Sequence, residues 1–210
     1  MPPRDWAAME QLNLSLFHTI NANPNLHGIG LWLALFAAKY LIFVAEFGLI
    51  GLWIWGDTKT RKTVVFAFLC SALGLFIDWL IGTVYFHPRP FELGIGHTFI
   101  YHAADSSFPS DHTTSLASLS FMFLWRDSSR SFVGLLLLLI TLWVGWARIY
   151  IGVHYPFDIL GSLFVSFIAT IIISYLTPWI SRYLIPFPEY IHHQFFNSTR
   201  KMASKFGFRK

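Results

Sequence analysis

Residues 147–161 read "ARIYIGVHYPFDILG", a polar segment between two long apolar runs that carries Arg148, His154 and Asp158. The flanking runs, 131–151 and 157–177, are each long enough to cross a hydrocarbon core of about 30 Å as a helix. Pro156 is tolerated in the first turn of a helix, so the second run is predicted to begin as a helix at this proline. The segment therefore predicts two membrane-spanning helices joined by a short polar turn.

The composition of the whole chain is that of a membrane protein. Of its 210 residues, 55% are hydrophobic, 19% are aromatic and only 12% are charged, and the mean hydropathy is +0.53. Three further apolar runs of helical length precede the two already described. We therefore predict an all-α integral membrane protein with five transmembrane helices, at 30–55, 63–85, 111–126, 131–151 and 157–177. A sixth would be added if the segment 178–196 re-enters the membrane.

The N-terminal segment has the pattern of a helix that lies along the membrane surface. Apolar residues recur at helical spacing over residues 5–21, and "NANPN" at 21–25 marks a turn. A basic stretch followed by an apolar core, as in a cleaved secretory signal, is missing. We expect one domain over 1–210, made of an interfacial segment at 1–27, a transmembrane core at 28–177 and a basic cytoplasmic tail at 178–210.

Basic residues in the short loops predict the orientation. The loops "DTKTRK" at 57–62 and "RDSSR" at 126–130 carry Lys and Arg, and the tail adds Arg200, Lys201, Lys205, Arg209 and Lys210. Loops rich in Lys and Arg are retained on the cytoplasmic side. The loop 86–110 and the turn 151–156 are therefore predicted to face outside.

This orientation brings three polar clusters to the outer side of the membrane. The third cluster is the segment quoted above. The first two read "YFHPRPFE" at 85–92 and "FPSDH" at 108–112, and they carry Arg89, Ser110, Asp111 and His112. Because the orientation was taken from the basic loops alone, the convergence of the clusters independently supports one outward-facing site.

The residue types in these clusters suit phosphoryl transfer. Arg89 and Arg148 offer planar forks of donors that bind phosphate oxygens and stay charged. Ser110 adds a hydroxyl, and the N-terminus of the helix that follows adds backbone N–H groups and the positive end of a helix dipole. Together these groups predict an anion-binding site that stabilises transition-state charge with no cofactor and no metal.

The two histidines supply the nucleophile and the acid. Asp158 lies one helical turn beyond His154, so it can hold one ring nitrogen of His154 as a donor and leave the other free to attack. His112 is then the predicted general acid that protonates the departing oxygen.

The three clusters resemble the three motifs of the type 2 phosphatidic acid phosphatase superfamily, which includes membrane lipid phosphatases, soluble acid phosphatases and haloperoxidases. "FHPRP", "FPSDH" and "RIYIGVHYPFD" match these motifs in order and spacing. The resemblance implies an all-helical core of the phosphatidic acid phosphatase/haloperoxidase type. It also implies that His154 forms a phosphohistidine with Asp158 as its partner, that His112 is the acid, and that Arg89, Ser110 and Arg148 hold phosphate.

Two positions depart from the family pattern. The lysine that usually lies seven residues before the motif arginine is Gly82 here, and the glycine of Pro-Ser-Gly-His is Asp111. The aspartate, together with "LNLSLF" at 12–17, resembles the bacterial undecaprenyl-pyrophosphate phosphatases, which regenerate the lipid carrier of cell-wall synthesis and contribute to bacitracin resistance. The resemblance implies hydrolysis of a polyprenyl pyrophosphate at the periplasmic face of a bacterial inner membrane. The partners expected are this lipid and membrane lipids, with no nucleic acid.

Charged residues within the predicted spans leave two alternatives open. Lys39 and Glu46 are seven residues apart in the first span, so they share one helical face, and Asp78 lies in the second span. Lys39 either replaces the absent motif lysine near the phosphate or pairs with one of the two acids and holds helices together. Asp111 is expected either as the N-cap of its helix or near the phosphate.

Other functions are also compatible with the sequence. Within the enzyme class these are a phosphatase for phosphatidylglycerophosphate or another glycerolipid, and a lipid phosphotransferase. A different class is a membrane transporter or channel whose outer cluster only binds an anion. A metal site made of His87, His97 and His102 is disfavoured because their spacing matches no compact ligand pattern.

Overall fold

The computed structural model describes the backbone of residues 4–205 and the side chains of 6–127 and 129–196. Within this part of the chain all regular structure is helical, which confirms the predicted all-α class. Short 3₁₀ turns lie at Pro90–Leu93 and Ser128–Arg130. The α-helices are α1 (Arg4–Ile20), α2 (Ile29–Lys39), α3 (Leu41–Trp55), α4 (Thr58–Val84), α5 (Asp111–Arg126), α6 (Ser131–Tyr150), α7 (Pro156–Tyr175), α8 (Thr177–Tyr183) and α9 (Pro186–Lys205).

Helix α5 lies at the centre of the bundle and packs against α4, α6 and α7. Its buried face is rich in small and hydroxyl-bearing residues, which allow close approach and form hydrogen bonds between membrane helices. The Ser115 hydroxyl lies 2.8 Å from that of Ser71 on α4, and the Ser120 hydroxyl donates to the Gly134 carbonyl of α6 at 2.8 Å. Helix α5 therefore holds together α4, α6 and α7, the helices whose ends border the candidate site.

Several helices are long and apolar enough to cross a membrane. In the described part of the chain these are α4, α6 and α7, and α2 with α3 forms a fourth if the pair is one bent span. Helix α5 has only 16 residues and is surrounded by its neighbours. All five predicted spans therefore correspond to helices, of which up to four satisfy the length and composition of a full span.

The first predicted span, 30–55, is not one continuous helix. Helices α2 and α3 meet at Tyr40 with a bend of 52°. Lys39 ends α2 and Glu46 lies on α3, so the prediction that the two share one helical face is wrong. At this bend the C-terminal end of α2 contacts the last turn of α6, where Arg148 donates a hydrogen bond to the Ala38 carbonyl at 3.3 Å.

The opposite end of the bundle carries the basic loops. Helix α4 begins five residues earlier than predicted because Asp57 caps it, accepting a hydrogen bond from the Thr60 N–H at 2.7 Å. Arg61, within this first turn, pairs with Glu189 of α9 at 2.8 Å. This ion pair connects α9 to the start of α4. The predicted basic tail residues, from Arg200 to Lys210, lie outside the side chains that the structure describes.

Candidate active site

The three sequence clusters meet at one end of the bundle. Arg89 lies in the long loop between α4 and α5, Arg148 in the last turn of α6, and Asp158 in the first turn of α7. His154 lies in the turn between α6 and α7. This turn requires glycine at Gly152, where φ is +82° and a Cβ would come within 2.0 Å of the His97 carbonyl oxygen.

The orientation of His154 is fixed through its Nδ1 atom. Nδ1 lies 2.9 Å from the carbonyl oxygen of Ser107, and because a carbonyl only accepts, Nδ1 carries the proton. Nε2 is then unprotonated and faces two guanidinium groups, at 3.1 Å from Arg89 Nη1 and 3.2 Å from Arg148 Nη2. The side chain is 1% exposed. Burial, reinforced by the two arginines, holds the pKa of His154 well below its ordinary value, so the ring is neutral and its Nε2 lone pair is available.

Asp158 is held beside this histidine by several donors. Its Oδ2 atom accepts a hydrogen bond from the Ser107 hydroxyl and another from the Tyr155 N–H at 2.7 Å, and it lies 3.3 Å from His154 Nδ1. Ser107 therefore contacts both members of the predicted pair, through its carbonyl and its hydroxyl. The sequence did not assign a role to Ser107, since a serine in a loop matches no motif.

Arg89 is anchored on three sides. Its backbone N–H donates to the Glu92 carboxylate at 2.8 Å, and its Nε donates to Asp105 Oδ1 at 2.8 Å. Nη1 also donates to the Val153 carbonyl at 2.9 Å. The side chain is thus positioned in advance, with one fork nitrogen aimed at His154.

Arg148 is held by backbone and by a second histidine that the sequence did not assign to the site. Its Nη1 donates to the Ala38 carbonyl at 3.3 Å, and its Nη2 lies 3.0 Å from His102 Nε2. His102 Nδ1 lies 3.1 Å from the Ala103 carbonyl, so Nδ1 carries the proton and Nε2 accepts from Arg148. Burial and the neighbouring arginines lower the pKa of His102, which favours this neutral form.

The remaining predicted residues lie at the start of α5. Ser110 is fully buried, and its hydroxyl accepts from the Thr113 hydroxyl at 3.2 Å. His112 is half-buried in the first turn, close enough to Arg89 and Arg148 for their charges to act on it. Within the described residues its ring forms no hydrogen bond, so it is available to a ligand.

Asp111 is not the N-cap of α5. The N-cap is Ser110, and Asp111 is the first helical residue, with an exposed side chain. It borders a cavity of about 390 Å³ together with Gly82, Asp78 and Asp105. Gly82, at the position where the family usually has a lysine, therefore borders the same cavity as three carboxylates.

Lys39 does not fasten helices together by an ion pair. Among the residues that the structure describes, neither Asp78 nor Glu46 pairs with it, so the pairing alternative is wrong. Its side chain is exposed, and its ammonium group lies 5.8 Å from the centre of the Tyr40 ring. The adjacent residue, Ala38, accepts the hydrogen bond from Arg148, which places Lys39 next to the site.

The three loop histidines are separated in space. His102 contacts Arg148, His97 packs edge-on against Phe99, and His87 lies near Asp158. In the part of the chain that the structure describes, no three His, Cys, Asp or Glu side chains are grouped as ligands for a metal ion.

Residues 63–182 match the PAP2 superfamily, a stretch that covers more than half of the chain. With the helical bundle and the converging motifs, this match shows that the chain belongs to the PAP2 superfamily, as the sequence predicted. It is a multi-pass membrane protein of that family.

Three similar proteins indicate which PAP2 proteins this chain resembles. The putative undecaprenyl-diphosphatase YbjG of Escherichia coli (strain K12) is 42% identical over 161 residues, which cover 76% of this chain and 80% of YbjG. Undecaprenyl-diphosphatase BcrC of Bacillus subtilis (strain 168) is 36% identical over 194 residues, which cover 92% of this chain and 97% of BcrC. The crystal structure of LpxE from Aquifex aeolicus superposes with a TM-score of 0.60 at 25% identity, covering 77% of this chain and 94% of LpxE.

Proposed function

We propose that this protein is a lipid pyrophosphate phosphatase that converts undecaprenyl diphosphate into undecaprenyl phosphate and inorganic phosphate. The observation that carries the proposal is the orientation of His154, whose free Nε2 lies between the Arg89 and Arg148 guanidinium groups. A nucleophile placed between two permanent positive charges suits attack on a phosphate group. The names of YbjG and BcrC support the choice of a polyprenyl diphosphate as substrate.

The first half-reaction forms a phosphohistidine. His154 Nε2 attacks the terminal phosphorus, and the Nε2–P bond forms as the bond from phosphorus to the bridging oxygen breaks. The bridging oxygen leaves with the lipid monophosphate and takes a proton from His112, whose protonated form is favoured by the negative charge of the bound diphosphate. Arg89 and Arg148 neutralise the equatorial oxygens of the transferring group.

Asp158 supports the charge that develops on the nucleophile. The ring of His154 becomes positively charged as Nε2 bonds to phosphorus, while Nδ1 keeps its proton. The nearby Asp158 carboxylate stabilises that charge and keeps the ring in the attacking orientation. Ser107 fixes both side chains, so the pair needs little reorganisation during the reaction.

The second half-reaction releases inorganic phosphate. Water attacks the phosphorus of the phosphohistidine and gives a proton to His112, and the Nε2–P bond breaks with its electrons returning to Nε2. This step restores the neutral ring of His154 and the protonated His112.

The orientation that we propose places this site outside the cytoplasm. The end of the bundle opposite to the site carries Lys59, Arg61 and Arg130, and the Lys59–Asp127 and Arg130–Asp57 contacts tie its loops together. Basic loops of this kind are retained in the cytoplasm. The site then faces the periplasm of a bacterial inner membrane, where a lipid diphosphate can approach from the outer leaflet.

Phosphate release from purified full-length protein in detergent tests the proposal. Undecaprenyl diphosphate, phosphatidylglycerophosphate and diacylglycerol pyrophosphate are compared, and His154→Ala is paired with His97→Ala as a matched control. We expect the fastest release from undecaprenyl diphosphate, no release by His154→Ala and wild-type release by His97→Ala.

The other outcomes separate the alternatives. Fastest release from phosphatidylglycerophosphate would favour a glycerolipid phosphatase, and no release from any lipid would favour an anion-binding transporter. Alkaline quenching during turnover should trap label from the terminal phosphate on the protein, because a phosphorus–nitrogen bond to histidine survives base. Equal rates for His154→Ala and wild type would rule out the proposed nucleophile.

A further inference from the structure

Two buried polar atoms face each other behind the His154–Asp158 pair. Asp158 Oδ1 and His87 Nδ1 are both buried, and among the described residues neither has a hydrogen-bond partner. They lie 3.8 Å apart. A typical N–H···O bond measures about 3.0 Å, so this separation exceeds bonding distance by roughly 0.8 Å. Because unpaired buried polar atoms destabilise the protein, a hydrogen bond between these two atoms would lower its free energy.

His87 is held in the same frame as the catalytic pair. Its carbonyl accepts a hydrogen bond from the Ser107 N–H at 2.7 Å, and its own N–H donates to the Ser106 hydroxyl at 3.2 Å. The ring stacks on Tyr85, with centroids 6.0 Å apart and planes at 11°, and packs against Tyr155 with centroids 5.1 Å apart. The backbone of His87 is therefore held by the same segment that holds His154, and its ring packs between two tyrosines.

The ring of His87 has room for the small movement that would close the gap. It borders a largely apolar cavity of about 360 Å³ between α1 and the site, together with Trp6, Glu10, Asn13 and Phe157. Burial lowers the pKa of His87, against the opposing influence of Glu10, so the ring is neutral at neutral pH. A neutral imidazole has one N–H to place, and Asp158 Oδ1 offers a nearby acceptor that lacks a donor.

We propose that His87 is a positioning residue of the phosphatase, whose Nδ1–H donates to Asp158 Oδ1 while positive charge develops on His154. This inference rests on the proposed function and extends it to a third histidine. No proton is transferred between His87 and Asp158. The bond stops the carboxylate from rotating and keeps Oδ2 directed at Nδ1 of the nucleophile. Catalytic contacts are often long in the unliganded enzyme and shorten when the substrate binds.

Two substitutions separate a hydrogen-bond donor from ring packing. In His87→Asn the side-chain amide nitrogen takes the place of Nδ1, whereas His87→Phe keeps an aromatic ring between Tyr85 and Tyr155 and has no donor. His97→Phe is the matched control, because His97 lies in the same outer loop and its ring contacts Phe99 away from the site. If His87→Phe does not fold, as judged by tryptophan fluorescence, His87→Leu takes its place.

The measurement is the pH dependence of kcat and KM for phosphate release from undecaprenyl diphosphate. We expect His87→Asn to stay close to wild type and His87→Phe to lose roughly tenfold to a hundredfold in kcat at unchanged KM, as for a lost bond to a charged group. A carboxylate that loses a donor holds its charge less well, so the acid limb of the kcat profile should move to higher pH in His87→Phe.

Other ionisable groups also face this region, namely Glu10, Tyr85, Tyr155 and Arg89. The profile of Glu10→Gln is therefore measured alongside, and we expect its acid limb not to move to higher pH, because removal of a nearby negative charge favours the ionised carboxylate. A shift in Glu10→Gln as large as that in His87→Phe would overturn the assignment to His87.

The results distinguish this proposal from the proposed function. If His154→Ala is inactive but His87→Phe and His97→Phe share wild-type kcat and pH profile, His87 has no positioning role and the proposed function stands. Equal loss in His87→Asn and His87→Phe also overturns the proposal, because the donor that His87→Asn retains would then not preserve turnover. Wild-type activity in His154→Ala would overturn both.

Discussion

Replacing Ser107 with alanine should lower both the stability and the turnover of the protein. The substitution removes the hydroxyl that donates to Asp158 but keeps the carbonyl that binds His154. Ser107 is fully buried and Asp158 is 1% exposed, so water cannot replace the lost bond. A hydrogen bond to a charged group contributes about 1.5–3 kcal/mol. We therefore expect the free energy of unfolding to fall by about 2 kcal/mol.

The same change should slow the chemistry. If most of that contribution is retained in the transition state, kcat should fall roughly tenfold or more, since about 1.4 kcal/mol corresponds to a factor of ten. KM should change little because the contacts of Ser107 are to His154 and Asp158, and we do not expect it to bind the substrate. Unfolding is followed by tryptophan fluorescence in detergent with increasing denaturant, and turnover by phosphate release from undecaprenyl diphosphate.

Ser166→Ala is the matched control. This serine is also fully buried, and its hydroxyl donates to the neutral carbonyls of Thr114 and Ser162, at 2.9 and 2.7 Å. We expect a loss of about 1 kcal/mol in stability and no change in kcat. If the two variants lose the same stability and both keep wild-type kcat, the hydroxyl of Ser107 does not orient Asp158 and our reasoning about the pair is refuted.

Three further predictions concern the surroundings of the same site. Arg148→Lys keeps the positive charge, but an ammonium group cannot contact Ala38 and His154 together as the guanidinium does. The KM for undecaprenyl diphosphate, measured by phosphate release, should therefore rise. An unchanged KM would contradict a contact of both guanidinium nitrogens with phosphate. Lys39→Met should leave the free energy of unfolding unchanged, because no ion pair of Lys39 is found in the described residues, and should raise KM; if KM and kcat both stay the same, Lys39 does not bind phosphate. The third prediction is a pH dependence, because the pKa of His154 is lowered in the folded protein. Below about pH 6.5 the unfolded chain binds a proton at this residue and the folded protein does not. As the pH decreases from that value, the free energy of unfolding should therefore decrease by up to about 1.4 kcal/mol per pH unit. Unfolding measured at several pH values should show a shallower fall in His154→Asn, and an equal slope would contradict the buried neutral ring.

The sequence predicted the helices where polar residues mark both ends. Helix α5 has the bounds that "SDH" and "RDSSR" indicate, 111–126. The bend at Tyr40 was not predicted because neither proline nor glycine, the residues that usually mark a kink, lies at that point.

The candidate site was likewise predicted only in part from the sequence. His154 and Asp158 could be paired from their spacing within one helical turn. The contacts of Ser107 and His102 could not, because they join residues 47 and 46 positions apart along the chain. Loop serines and histidines carry no periodic signal, so only the folded arrangement indicates their contacts.

Arg148 also has a structural role at the break between α2 and α3. The last four carbonyls of a helix have no partner within the helix, and Ala38 contributes one of them. Backbone carbonyls at membrane depth are tolerated without such partners only where protein or water satisfies them. Arg148 satisfies the Ala38 carbonyl, so the side chain that faces His154 also compensates for an interrupted span. We therefore expect a substitution at Arg148 to combine a folding defect with the loss of a contact to His154.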